Sequence, residues 1–366
     1  MSTRCGGWIY LACFSLVSGF AQQNLPAGQS ERPAFVRPVG GDRQMTLDVV
    51  VTNKSGKPVS GLQQQDFTLL DNKQPQKILS FQAVEGGAAT AHAPLEVILV
   101  LDEVNTSFTG MATARNGIEK FLQRNGGALG QPLSVIFISD SGATETTSSR
   151  DGTAVIAELN QEQASLRIHR RSQGVYGEAE RIELSLSALL KLADHQASRP
   201  GRKLVVWVSP GWPFLNQPGV DTNLSVKQRR QLFDSIVAVS DALRRARITL
   251  YAADPLGVAD PRQYRAMEYM QFSKGVKSAR QAEYGHLALQ VLAHQSGGRV
   301  LQSGNDLTGE IAECVTDANA FYVLSFHGVA GDGPDEYHAL EIKLGKPGLA
   351  ARTRSGYCAQ PEPDQP

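Results

Sequence analysis

Residues Leu95 to Asp102 form an apolar run broken only by Glu96, which ends on a carboxylate and opens into the turn Glu103-Val104-Asn105-Thr106-Ser107. An element that is apolar on both faces must be covered on both faces, which places it inside a parallel sheet flanked by helices. The following stretch, Met111 to Gln123, carries Ala114, Ile118 and Phe121 at helical spacing. Sheets of this kind bind ligands just beyond the carboxyl ends of their strands, where the winding reverses. If the run is the first strand of such a sheet, Asp102, Asn105, Thr106 and Ser107 lie there and are the first candidates for ligand or partner binding.

The rest of the chain continues this alternation. Leu133 to Ile138, Leu204 to Val208 and Ile248 to Tyr251 read as strands, and so does Phe321 to Phe326. Between them, Ile182, Leu186, Leu189 and Ala193 form one helical face, and Leu232, Ile236, Val239 and Leu243 form the clearest. A further helix through Leu287 and Val291 should stop at Gly297-Gly298, a C-cap signal. Alternating strands and helices imply a doubly wound, mainly parallel α/β sheet of Rossmann-like type over residues 95–328. Ahead of it, Met45 to Val51, Asp66 to Asn72 and Ile78 to Phe81 are short strand-like pieces between turn residues, so 43–85 reads as a small β-rich module. Gly86 to Pro94 is the expected linker. Residues 336–358, with His338 to Leu344 and Leu349 to Tyr357 as arms, read as a C-terminal β-hairpin.

Arg4, the apolar stretch Trp8 to Phe20 and the small-x-small site Gly19-Phe20-Ala21 match an export signal over residues 1–21. A lipoprotein reading, with Cys13 lipidated, is the alternative. Residues 22–42, bearing Pro26, Pro33, Pro38 and several glycines, form a flexible lead-in. No later run is long enough to span a bilayer, so the mature chain is expected to be periplasmic or extracellular without a transmembrane segment. Signal removal would leave Cys314 and Cys358, an even pair in an oxidising compartment and hence an expected disulfide.

Lys+Arg 36 balances Asp+Glu 36, a formal net charge of +0. With export, that balance argues against nucleic acid as a partner. The basic stretches Lys227 to Arg230 and Arg244 to Arg247 fall on the polar side of the clearest helix and read as a solvated face.

Several segments together carry a family resemblance: Gly61 to Phe67 in the front module, Asp102 with Asn105-Thr106, Val208-Ser209-Pro210-Gly211, Tyr251 to Pro255, and Arg354-Ser355-Gly356-Tyr357. In these the chain resembles secreted bacterial von Willebrand factor type A-related proteins, the VWFA-related acidobacterial family. The resemblance covers most of the mature chain and implies an A-type sheet and an export route, but no defined activity. It also implies where a divalent cation would sit: an Asp-x-Ser-x-Ser segment, plus a Thr and an Asp from two other loops. Here the first element is Asp102-x-Val104-x-Thr106, so Asp102 and Thr106 are the candidate metal ligands. Val104 supplies no oxygen, Tyr176 stands near where a Thr is wanted, and Pro210 occupies the place of the Asp. A hard cation needs about six oxygens. The expectation is therefore a degenerate cation site with no cofactor, or at most weak Mg²⁺ or Mn²⁺.

No serine-nucleophile elbow, phosphate loop, His-Glu-x-x-His or CxxC motif is present. His286 and His294 are the best zinc guess, and a structural histidine is the commoner outcome. Asp140 and Asp254 at strand ends are expected as helix caps rather than acid/base groups. In the turn Pro210-Gly211-Trp212-Pro213-Phe214, Trp212 and Phe214 read either as a partner anchor or as a lid over the cation position. The sequence thus points to an exported, non-enzymatic module that binds an unidentified protein through the strand-end face. Metal-dependent adhesion and an enzyme using the strand-end pocket are the alternatives.

Overall fold

The computed structural model describes residues 44–85, 95–161, 174–213, 224–257, 269–301 and 306–362. The expected signal segment, the lead-in, the linker and Phe214 lie outside them.

Two antiparallel sheets are built from both ends of this region. The strands are β1 (Gln44–Asn53), β2 (Phe67–Asp71), β3 (Gln74–Gln76) and β4 (Ser80–Glu85) from the front. Between front and back lies a seven-stranded sheet of β5 (Leu95–Asp102), β6 (Ala128–Ser139), β7 (Gly142–Glu145), β8 (Ser149–Asp151), β9 (Arg202–Val208), β10 (Ile248–Ala253) and β11 (Val300–Leu301). The back supplies β12 (Ala320–His327), β13 (Glu336–Leu344), β14 (Leu349–Arg352) and β15 (Gly356–Ala359). Six α-helices accompany them among the described residues: α1 (Phe108–Leu122), α2 (Gly152–Gln161), α3 (Gly174–Ala197), α4 (Val226–Arg245), α5 (Leu289–Gln295) and α6 (Leu307–Thr316).

The central sheet has the order β11-β10-β9-β5-β6-β7, with β8 also on β6. Strands β11, β10, β9, β5 and β6 run parallel, and β7 and β8 are antiparallel to β6. The chain moves outward from β5 first through β6 and later through β9, so the winding reverses at β5. Alternate residues of β5 enter opposite cores. Leu99 and Leu101 pack with α1, α2 and α6, whereas Ile98 and Val100 pack with α3, α4 and α5. Burying one such side chain contributes about 1.5–3 kcal/mol.

Local signals set the helix ends. Ser107 caps α1 by accepting from Gly110 N at 3.2 Å. Ser225 and Gln228 form a reciprocal capping box on α4. After α5, Gly297 takes φ +88°, its N–H donates to His294 O, and Gly298 N–H donates to Ala293 O. That pair of bonds is a Schellman stop.

The terminal strands differ from expectation. Phe321 to Phe326 does not join the parallel sheet. As part of β12 it lies antiparallel between β1 and β4. The expected terminal hairpin is opened: His338 in β13 does face Tyr357 in β15, but β14 leaves to pair with β1. The result is two four-stranded sheets, β14-β1-β12-β4 and β15-β13-β2-β3, enclosing a core of Leu47, Phe67, Leu69, Leu324 and Phe326. The front module is therefore completed by the back of the chain. Val50, Val84 and Phe321 on the outer face of the first sheet join the core under α1 and α6.

The expected disulfide is also corrected. Cys314 and Cys358 are both free. Cys314 belongs to the core on the α1/α6 face, whereas Cys358 packs against the core on the α3/α4/α5 face. The sheet itself separates them.

Candidate functional site at the strand ends

Side-chain alternation along β5 points Asp102 to the same face as Ile98 and Val100, toward α3 and α4. On the adjacent strand, Trp207 lies opposite Val100 and faces the same way. Its indole Nε1 donates to Asp102 Oδ2 at 2.9 Å. The Asn105 amide Nδ2 donates to Oδ2 at 2.9 Å, lies 3.2 Å from Oδ1, and contacts Ser185 Oγ at 2.8 Å. Asn105 N donates to Oδ1 at 3.0 Å. Ser185, on α3, in turn donates to Arg181 O. Both carboxylate oxygens are engaged by protein donors, and Asp102 and Trp207 are each 0% exposed. Hydrogen bonds to a charged acceptor are worth about 1.5–3 kcal/mol, which offsets much of the cost of burying this carboxylate.

The same bonds decide whether the donor set fits a hard cation, and it does not. An ion at Asp102 would displace Trp207 or Asn105, each leaving a buried N–H without an acceptor. Several neighbouring oxygens are committed elsewhere. Ser107 Oγ caps α1. Thr106 Cγ2 packs so closely that a Cβ at Gly110 would lie 2.8 Å from it. Thr146 Oγ1 accepts from Val135 N, and Thr144 faces Phe137 on the edge strand β7. Ser209 Oγ accepts from Gly211 N. Among the described residues, no group of three or more His, Cys, Asp or Glu is placed to hold a metal.

Trp212 is only 2% exposed and meets Trp207 edge-on, with ring centroids 5.4 Å apart. It is a lid over the Trp207–Asp102 pair, not an exposed anchor. Its Nε1, Asn105 Oδ1 and Gln290 Oε1 are buried with no hydrogen-bond partner among the described residues. Gln290 Nε2 reaches Pro210 O, and its amide fills the space where a Cβ at Gly211 would lie. Among the described residues, Phe108 is a large exposed apolar side chain at this end of the sheet, 69% exposed in the first turn of α1.

Histidines and strand-end carboxylates take structural roles. His286 is buried edge-on against Phe272, and burial lowers its pKa, whereas His294 is exposed. Asp254 accepts from Leu256 N in a local turn. Asp140, expected as a helix cap, sits exposed in the tight connection between β6 and β7, where no helix begins.

Sequence reasoning missed Trp207 and Ser185. A Trp inside a wholly buried strand must give its N–H to some acceptor. The nearest strand-end carboxylate on the same face was the available one.

Comparison with known proteins adds little to this picture. No family model matches the chain, and no curated protein matches it. Among solved structures, the pilus adhesin SpaC from Lactobacillus rhamnosus GG aligns at 10% identity and TM-score 0.33 over 82% of this chain. The chain spans about half of that adhesin, 49% of its length. The SpRpn10 VWA domain aligns in full to 65% of this chain, at 13% identity and TM-score 0.27.

Proposed function

We propose that this chain is an exported, non-enzymatic binding module of the von Willebrand factor type A-related kind, and that it engages a protein partner at the strand-end face without a divalent cation. The carrying observation is the closed hydrogen-bond set around Asp102, in which Trp207 and Asn105 take both oxygens. A cation-bridged contact needs a carboxylate open to the ion, and this one is committed to the fold. Recognition then falls to the surface beside it. Phe108 projects from the first turn of α1, and a large exposed apolar side chain suits the centre of an interface.

Capture of partners from periplasm or medium, in EDTA and in Mg²⁺, tests the reading. Wild type should retain the same protein in both conditions, and Phe108→Asp should lose it. Retention that needs Mg²⁺, or that is indifferent to Phe108→Asp, would overturn the proposal. Export is tested separately by intact mass of the protein from its native host, where loss of residues 1–21 is expected.

A further inference from the structure

At the opposite end of the parallel strands, a polar cleft opens between β1, the end of α4, the start of β10 and the segment linking β14 to β15. Arg244, Arg247, Arg354, Asp48, Ser296 and Thr353 are among the residues that line it. The cleft is built, not incidental. Ser355 N donates to Gln295 O, and a Cβ on Gly297 would come within 2.7 Å of the Thr353 carbonyl carbon. Thr353 Oγ1 donates to Asp48 O.

The three guanidinium groups are unequally served. Arg247 makes a two-pronged contact with Asp48, at 2.5 and 3.3 Å. Arg244 Nε lies 3.5 Å from Asp241 Oδ1. Arg354 is 9% exposed, yet among the described residues no carboxylate lies within ion-pair distance of it. Among them it makes one hydrogen bond, to Gly356 O at 3.5 Å. Asp241 and Asp48 act on Arg354 only from beyond ion-pair distance, and guanidinium's fork of N–H donors matches oxyanion geometry. Burial and the neighbouring Arg244 push the Arg354 guanidinium down to about 10, so it stays charged at neutral pH. Ser296 Oγ is already committed to the backbone of Leu250 and Ala293, which leaves Arg354 and Arg244 as the donors.

We propose that this cleft binds a small tetrahedral oxyanion, inorganic phosphate or sulfate, with Arg354 as the principal donor and Arg244 beside it. The site is distinct from the strand-end face, and nothing in the functional reading above depends on it. Of the residues that line the cleft, three are arginines and one, Asp48, is a carboxylate.

The test is thermal unfolding and calorimetry of the full chain with sodium phosphate, sodium sulfate and glycerol phosphate, each against sodium chloride at equal ionic strength. Phosphate and sulfate should raise Tm saturably and chloride should not, with glycerol phosphate weaker. Arg354→Gln should weaken phosphate binding at least tenfold. Arg244→Gln should weaken it several-fold and carries the test if Arg354→Gln does not fold. Arg230→Gln, whose side chain is 55% exposed, should bind as wild type. Equal responses to chloride and phosphate, unchanged affinity in both cleft variants, or equal loss in Arg230→Gln would each overturn the proposal. Tighter binding of glycerol phosphate than of phosphate would overturn the assignment to a free anion.

Discussion

Trp207 donates its indole N–H to the Asp102 carboxylate at 2.9 Å across two neighbouring parallel strands, and water reaches neither side chain. Removing either partner strands the other. Asp102→Ala leaves the Trp207 indole and the backbone and side-chain N–H groups of Asn105 without their carboxylate acceptor, and Trp207→Phe leaves an acceptor short. Each single change should cost about 2–4 kcal/mol in urea unfolding. The double-mutant cycle should show a coupling of about 1.5–3 kcal/mol. A coupling near zero would mean that the two side chains are merely adjacent.

The turn between α5 and β11 should be intolerant of a methyl group. Gly297 has φ +88°, and an added Cβ would press on the Thr353–Arg354 peptide. Gly297→Ala combines backbone strain with overpacking, each about 1–3 kcal/mol. Gly126, at φ +65° with open space around it, lacks the second penalty. Its alanine variant should therefore lose roughly half as much or less. Comparison of the two urea midpoints decides it, and equal losses would remove the packing argument.

The cysteines should behave as two separate thiols. Burial pushes Cys314 well above the usual thiol range and Cys358 up to about 12, so little thiolate is available to react. Alkylation followed by peptide mapping should label neither in the native protein and both in denaturant, with or without reductant. A peptide pair released only by reductant would restore the disulfide.

Lys203 supplies a pH prediction. It is 2% exposed, its ammonium donates to Arg199 O, and burial with Arg247 nearby lowers it to about 8 from a usual value of 10.5. The unfolded chain therefore holds more protons than the folded one between these values. Stability should rise with pH across that window, by on the order of 2–3 kcal/mol in total. Lys203→Met should flatten this rise in urea midpoints measured from pH 8 to 10. A wild-type slope of opposite sign would contradict the assignment.

How far the sequence discloses this fold depends on whether a segment's burial is local or shared. Strands β5, β9 and β10 and helix α4 announce themselves, because apolar runs and a 3.6-residue stripe admit few other placements. Strand β12 misleads for the same reason. Phe321 packs under the helices while Tyr322, Leu324 and Phe326 fill the β-sandwich. Apolar residues on both faces look alike whether a strand is covered by helices or by a second sheet. Asp102, Asn105 and Thr106 are found at the predicted strand end. Trp212, open in sequence between an anchor and a lid, takes the lid position, because Trp207 supplies a surface for it to cover. Arg247 looks like a solvent-facing charge because its partner, Asp48, lies about two hundred residues earlier in the chain.

Calorimetric titration of the purified protein with Mg²⁺, Mn²⁺ and Ca²⁺, alongside Asp102→Ala, tests most directly the claim that side chains, not a cation, close the strand-end site. The account predicts no saturable heat at micromolar metal. At millimolar metal or weaker affinity, it predicts a stability gain under about 1 kcal/mol. Saturable micromolar binding by wild type that disappears in Asp102→Ala would contradict it.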